Sequence, residues 1–163
     1  MLQLVPDGWL GWNFDVLDNG NKIAEIKSSS LPDSGTFLLA DGDLRAYREG
    51  LFTGDYLLES DGQIVARAQK PSAFRNSFEI ASAGKSYTLK KESLVGRSFV
   101  LLQGDIAVGS VRSEGYFGRK ASVSMPEVMP LPVQLFIIWL TILLWKRESD
   151  SAAAVSASVA ASS

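Results

Sequence analysis

The run Val133-Gln-Leu-Phe-Ile-Ile-Trp-Leu-Thr-Ile-Leu-Leu-Trp145 puts apolar residues on nearly every face of a helix, with Gln134 and Thr141 seven positions apart on one side. A helix with no polar face has to be surrounded, by lipid or by protein. Pro132 suits its first turn, and Lys146 and Arg147 stand where the C-terminal end of a helix dipole favours cations. The thirteen residues from Val133 to Trp145 rise about 20 Å, short of the roughly 30 Å hydrocarbon core, and extension back to Val128 crosses Pro130 and Pro132. A bilayer span over residues 128–145, the integral-membrane alternative, would leave Lys146 and Arg147 holding the tail in the cytoplasm and everything before it outside. The expected solution is a helix threaded through a closed barrel, with a C-terminal anchor and a partner-bound helix as rivals.

The chain before this helix has an all-β rhythm. From Trp12 to about Met125, short segments rich in Val, Ile, Phe and Tyr are separated by turn signals at Asp18-Asn-Gly-Asn21, Asp41-Gly-Asp43, Asp61-Gly62, Ala83-Gly84 and Gly104-Asp105. The clear strand pairs are Trp12 to Leu17 with Lys22 to Lys27, Tyr56 to Glu59 with Gln63 to Gln69, Phe78 to Ala81 with Tyr87 to Lys91, and Arg97 to Leu102 with Ile106 to Val111. The spacing in Leu44 to Leu51 fits a short helix or a strand. Three segments align as a repeat, starting at Phe14, Tyr56 and Phe99 with spacings of 42 and 43 residues: aromatic, apolar, turn, Ile, small residue, then a cation or amide. Such a period suits hairpins repeated around a barrel, although any hairpin selects similar residues around its turn.

The absences narrow the chemistry. Among 163 residues there is no histidine and no cysteine, which removes Ser-His-Asp and Cys-His nucleophiles, thiolate and imidazole metal sites, and disulfides. Glu79-Ile-Ala-Ser-Ala-Gly-Lys-Ser86 ends like a phosphate-binding loop, but Glu79 stands where its first Gly belongs and an alternating strand pattern follows. Ser82 and Lys85 match a Ser-x-x-Lys spelling without its helical turn or companion motifs. Asp15 to Gly20 fails as a calcium loop because Leu17 sits at a ligand position, and Asp41 with Asp43 reads as a turn. No enzyme, cofactor or metal site is expected. The net charge of −2 offers no general reason for nucleic-acid binding.

Tyr56-Leu-Leu-Glu-Ser-Asp-Gly-Gln-Ile-Val-Ala-Arg-Ala-Gln-Lys-Pro71, Tyr87-Thr-Leu-Lys-Lys91 and Arg97-Ser-Phe-Val-Leu-Leu-Gln-Gly-Asp-Ile-Ala-Val-Gly109 resemble hairpins of LURP-one-related proteins and phospholipid scramblases. Together with the apolar C-terminal helix, the chain from about Val5 to Arg147 resembles the Tubby-like superfamily. The resemblance implies a barrel of about 11–12 antiparallel strands around a central helix over 132–147, within a domain of residues 1–149. It implies activities ranging from phosphoinositide binding to lipid scrambling. Only Glu127 is acidic just before Val128, so the calcium segment of the scramblases has no counterpart, and the scramblase-like alternative is a lipid-handling protein without it.

Charge is distributed unevenly along the chain. Residues 1–66 carry 4 basic and 11 acidic side chains, whereas 67–120 carry 10 basic and 4 acidic. A basic face built from Lys70, Arg75, Lys85, Lys90, Lys91, Arg97, Arg112, Arg119 and Lys120 would attract anionic phospholipid headgroups or a protein partner. Strand alternation opposes gathering them all, since Lys90 and Lys91 must point to opposite faces. The Met1–Asp7 start has neither the basic nor the apolar region of a secretory signal, so a cytoplasmic protein, peripheral at the membrane, is expected. Residues 150–163, almost all Ser, Ala and Val, read as a disordered tail.

Overall fold

A computed structural model describes residues 1–29, 33–51, 54–70, 76–115 and 118–162. Twelve strands, β1 (Leu2–Pro6), β2 (Phe14–Asp18), β3 (Asn21–Ser29), β4 (Ser34–Leu38), β5 (Leu44–Arg48), β6 (Tyr56–Ser60), β7 (Gln63–Gln69), β8 (Ser77–Ser82), β9 (Lys85–Lys91), β10 (Phe99–Gln103), β11 (Ile106–Ser113) and β12 (Ala121–Ser124), precede the helix α1 (Leu131–Ser162). Each strand pairs antiparallel with its sequence neighbours, and β1 closes the barrel on β12 through Leu2 opposite Val123 and Leu4 opposite Ala121. The tract after Leu44 resolves as strand β5, because Leu44 and Ala46 are buried while Arg45 between them is exposed.

The three aligned segments are the hairpins β2–β3, β6–β7 and β10–β11, and they share more than their residue pattern. Each has a register shift at the same aligned place, after Val16, Leu58 and Leu101. An extra residue in a strand raises local twist and bends the sheet. Three such bulges distributed around the wall help it curl into closure. The turns beside them hold positive φ at Asn19 and Gly20, Asp61 and Gly62, and Gly104, as tight two-residue hairpins demand.

The meander sorts its connections by barrel end. One end, the turn end, carries the connections at 19–20, 39–43, 61–62, 83–84 and 104–105 and the link 125–130 into α1. The other, the loop end, carries 7–13, 30–33, 49–55, 70–76, 92–98 and 114–120. Helix α1 enters at the turn end, where Leu131 and Pro132 line a shallow depression with Asp41, Asp43 and Asp61. It leaves at the loop end.

Inside, Val133 and the continuous run Leu135–Trp145 are buried on all faces of α1. Thr141, the buried polar residue of this run, donates its hydroxyl to the Ile137 carbonyl at 3.1 Å, so it needs no partner on the wall. Trp139 sits among Phe37, Tyr56 and Phe136, with ring centroids 5.9–6.4 Å away. Small residues give the helix room, as at Ala24, Ala46, Ala66, Ala68 and Ala121. Gly35 is the tightest of these contacts, because a Cβ there would lie 2.6 Å from Trp139 Nε1. The helix begins at Leu131, after a turn in which the Met129 N–H donates to the Pro126 carbonyl. Among the described residues no helix is long and apolar enough to cross a membrane, and α1 starts at Leu131, so residues 128–145 are not one helix.

At its other end α1 runs on to Ser162, with residues 149–162 exposed, where composition suggested disorder. Extending a helix that the barrel has already nucleated avoids the costly first turn, and alanine has the best intrinsic propensity for it. Two outcomes follow. Gly35→Ala is expected to cost about 1–3 kcal/mol, because Trp139 is wedged between three rings and cannot retreat, and chemical denaturation measures this. Deleting residues 151–163 is expected to leave the unfolding midpoint unchanged, since residues 151–162 are exposed along their whole length.

Candidate functional site

Strand direction and alternation decide where each expected cation goes. Lys85 begins β9 at the turn end and is exposed there, away from the others. Lys90 points outward from β9, whereas Lys91 turns inward and meets Glu148 of α1 at 2.6 Å. Lys70 follows the inward-facing Ala68 on β7 and is half-buried at the loop end. Arg97 also lies at the mouth, its guanidinium 5.5 Å from the Trp145 ring while its backbone carbonyl accepts the indole N–H at 2.8 Å. Burial lowers the Arg97 pKa from its ordinary value, against the nearby Glu148 charge. Arg112 faces outward and pairs with Glu92 at 3.1 Å. Lys120 is exposed in the connection before β12. Arg75 lies outside the described residues.

The nine residues therefore do not form a single face. Of the eight described, seven cluster toward the loop end, but Lys91, Arg97 and Arg119 are engaged in holding the mouth together, and Lys85 is at the far end. Lys90 and Lys120 are left pointing to solvent without an ion pair among the described residues. Sequence position alone could not separate these roles, because inward or outward orientation depends on register.

Arg119 has a specific local task. It donates to the backbone carbonyls of Gly8 at 2.8 Å, Trp9 at 2.7 Å and Gly11, and its guanidinium stacks 5.6 Å from Trp12. The main chain of the 7–13 connection is thus clamped from beneath. Its tip side chains, Trp9 and Leu10, are 94% and 95% exposed. A second tip is built at 92–98, where the Ser93 hydroxyl bonds the Val95 backbone on both sides and leaves Leu94 fully exposed beside a largely exposed Val95. Leu51 in the 49–55 connection is exposed as well.

These tips pair exposed apolar side chains on ordered turns at the end that also carries Lys90 and Lys120, while the turn end exposes Met1, Ile106 and Val128 singly. The turn-end connections carry Asp41, Asp43, Asp61, Asp105 and Glu127 and no cationic side chain among the described residues, whereas the loop-end connections mix Asp7, Asp33, Glu49, Asp55, Glu92 and Glu114 with Lys70, Arg97, Arg119 and Lys120. The cations of the connections are thus confined to the loop end among the described residues, where they stand among carboxylates. The tips do not follow from strand or hairpin patterning. Their signal is an apolar pair set between turn formers, Gly8-Trp-Leu-Gly11 and Ser93-Leu-Val-Gly96, where a turn would ordinarily be polar.

Among the described residues no group of acidic side chains is arranged to hold a metal ion. Arg119→Ala is expected to cost about 1–3 kcal/mol through three orphaned carbonyl contacts and to raise hydrogen exchange in residues 8–12 while leaving β5–β9 protected. No protein-family model, curated protein or solved structure matches the chain.

Proposed function

We propose that the protein is a non-enzymatic lipid-binding barrel that docks its loop end on an anionic membrane surface. The carrying observation is the coincidence at one end of exposed apolar tips, Trp9, Leu10, Leu94 and Val95, with the outward lysines Lys90 and Lys120. Lys90 and Lys120, exposed at this end without an ion pair among the described residues, turn it toward negative charge.

Magnitudes favour a charge-dependent contact. Burying the four tip side chains is worth on the order of 6–10 kcal/mol. The lost translational and rotational freedom costs about 4–15 kcal/mol, so apolar insertion alone roughly breaks even. Lys90 and Lys120 near an anionic surface add about 1 kcal/mol each, which together shift the equilibrium roughly 30-fold. Binding should then require both elements. Beyond the exposed Asp150, residues 151–162 of α1 carry no charge and extend about 18 Å, so they can enter the interface beside the tips.

The twelve-strand barrel around a C-terminal helix also supports placing the chain in the Tubby-like superfamily, which is part of the proposal. Flotation with neutral and anionic vesicles, at low and high salt, tests it. The expected result is flotation with anionic vesicles alone, weakened by salt, and reduced about tenfold or more both by Trp9→Ser with Leu94→Ser and by Lys90→Glu with Lys120→Glu. Flotation with neither vesicle would overturn the reading and send the search to a protein partner. Charge reversal at Lys91 or Arg119 is a poor probe, because those residues hold Glu148 and the 7–13 backbone.

A further inference from the structure

The mouth of the barrel holds a second concentration of charge that membrane docking does not use. Arg48 ends β5 in the inward series begun by Leu44 and Ala46, with its guanidinium 5.2 Å from the centre of the Tyr56 ring. Its Nε is buried and makes no hydrogen bond. Arg147 arrives from α1, 5.8 Å from the same ring, and donates to the Asp33 carboxylate at 3.1 Å and to the Tyr56 hydroxyl. The Tyr56 O–H in turn donates to Asp33 at 3.3 Å. Lys70 completes the group, half-buried and without an ion pair among the described residues.

Arg48 and Arg147 thus flank one tyrosine, Lys70 stands near enough to feel both charges, and the Asp33 carboxylate among them is already engaged by Arg147 and Tyr56. Several other carboxylates of this end are committed elsewhere: Glu49 and Asp55 to Arg67 on the outer wall at 3.3 and 2.6 Å, Glu92 to Arg112, and Glu148 to Lys91. Burial, with the Arg147 and Arg48 charges beside it, holds the Lys70 pKa below its ordinary value. A half-buried cation repelled by its neighbours destabilises the fold unless an anion compensates it. The charge excess is two, and two guanidinium forks with an ammonium suit a tetrahedral oxyanion better than a single carboxylate.

We propose that Arg48, Lys70 and Arg147 form a site for a dianionic oxyanion of the phosphate class, which ties α1 to strands β5 and β7 where the helix leaves the barrel. The dianion is either a soluble phosphate or phosphate ester, or the phosphomonoester headgroup of a lipid. The site stands apart from the apolar tips, so its failure would leave the docking reading intact.

The test uses the full chain and inorganic phosphate. Thermal midpoints are compared in chloride and in millimolar phosphate at equal ionic strength, with phosphorus NMR line widths reporting contact directly. Phosphate is expected to raise the midpoint of the parent and of the turn-end control Lys85→Gln, because a ligand of the folded state stabilises it. Lys70→Gln is expected to start from a higher midpoint in chloride, since it removes an uncompensated charge, and to lose about tenfold or more of its phosphate affinity. Arg48→Gln should lose the response as well. A parent protein that gains nothing from phosphate over chloride, or a Lys70→Gln variant that keeps the gain, overturns the site. Where the gain is present, preference for phosphatidic acid over phosphatidylglycerol vesicles of equal charge, displaced by free phosphate, identifies a lipid source. A gain without that preference identifies a soluble one.

Discussion

Everything in this molecule depends on removing one helix from water. Residues 133–145 of α1 present an apolar surface in every direction, so no single sheet face could cover them and a wall on all sides is required. Twelve strands supply it, and the closed sheet has no free edge to pair with another chain. The helix and the wall are mutually necessary. A barrel of this strand number encloses more volume than its own inward side chains fill, and the helix occupies the difference.

This constraint propagates outward to the barrel's ends. The meander sends its connections alternately to the two ends, and the four two-residue turns all fall at the end where the helix enters. The cations around the departing helix collect at the other. Lys91 meets Glu148, Arg147 meets Asp33, and the Arg97 carbonyl receives Trp145, each a stitch between helix and wall. Much of the positive charge that appears available for a ligand is therefore structural. The remainder, on the wall at Lys90 and Lys120 and in the mouth at Arg48 and Lys70, has no such duty.

The repeat shows how local chemistry serves global closure. Hairpins spaced 42 and 43 residues apart carry the same turn position and the same bulge. Each bulge adds twist, and twist is what a long antiparallel sheet needs to curl upon itself. The repeated aromatics Phe14, Tyr56 and Phe99 lie buried at the loop-end starts of their strands, where two of them reach the tryptophans of α1.

Much of the fold was legible along the chain because its signals are local: alternation of apolar residues for strands, positive-φ residues for turns, and an apolar run too short and proline-bounded for a bilayer. Strand β5 was ambiguous because five residues carry too little period to choose, and the sheet on either side settled it. The helical course of residues 150–162 was hidden for a related reason, since a polar, alanine-rich tail has no core of its own and takes its helix from the buried segment before it. Site geometry was the least legible. Nine cations sorted by sequence look like one patch, yet one-residue alternation sends Lys90 and Lys91 to opposite sides, and strand direction sends Lys85 to the far end. Arg48, Tyr56 and Arg147 meet across 99 positions of chain for no reason visible in any of their neighbourhoods. Sequence by itself determined the period, the turns and the need to enclose a helix, because those follow from each residue and its near neighbours. Only the tertiary structure decided which charges hold the mouth closed and which remain free to bind, because that depends on which strands the closed barrel sets side by side.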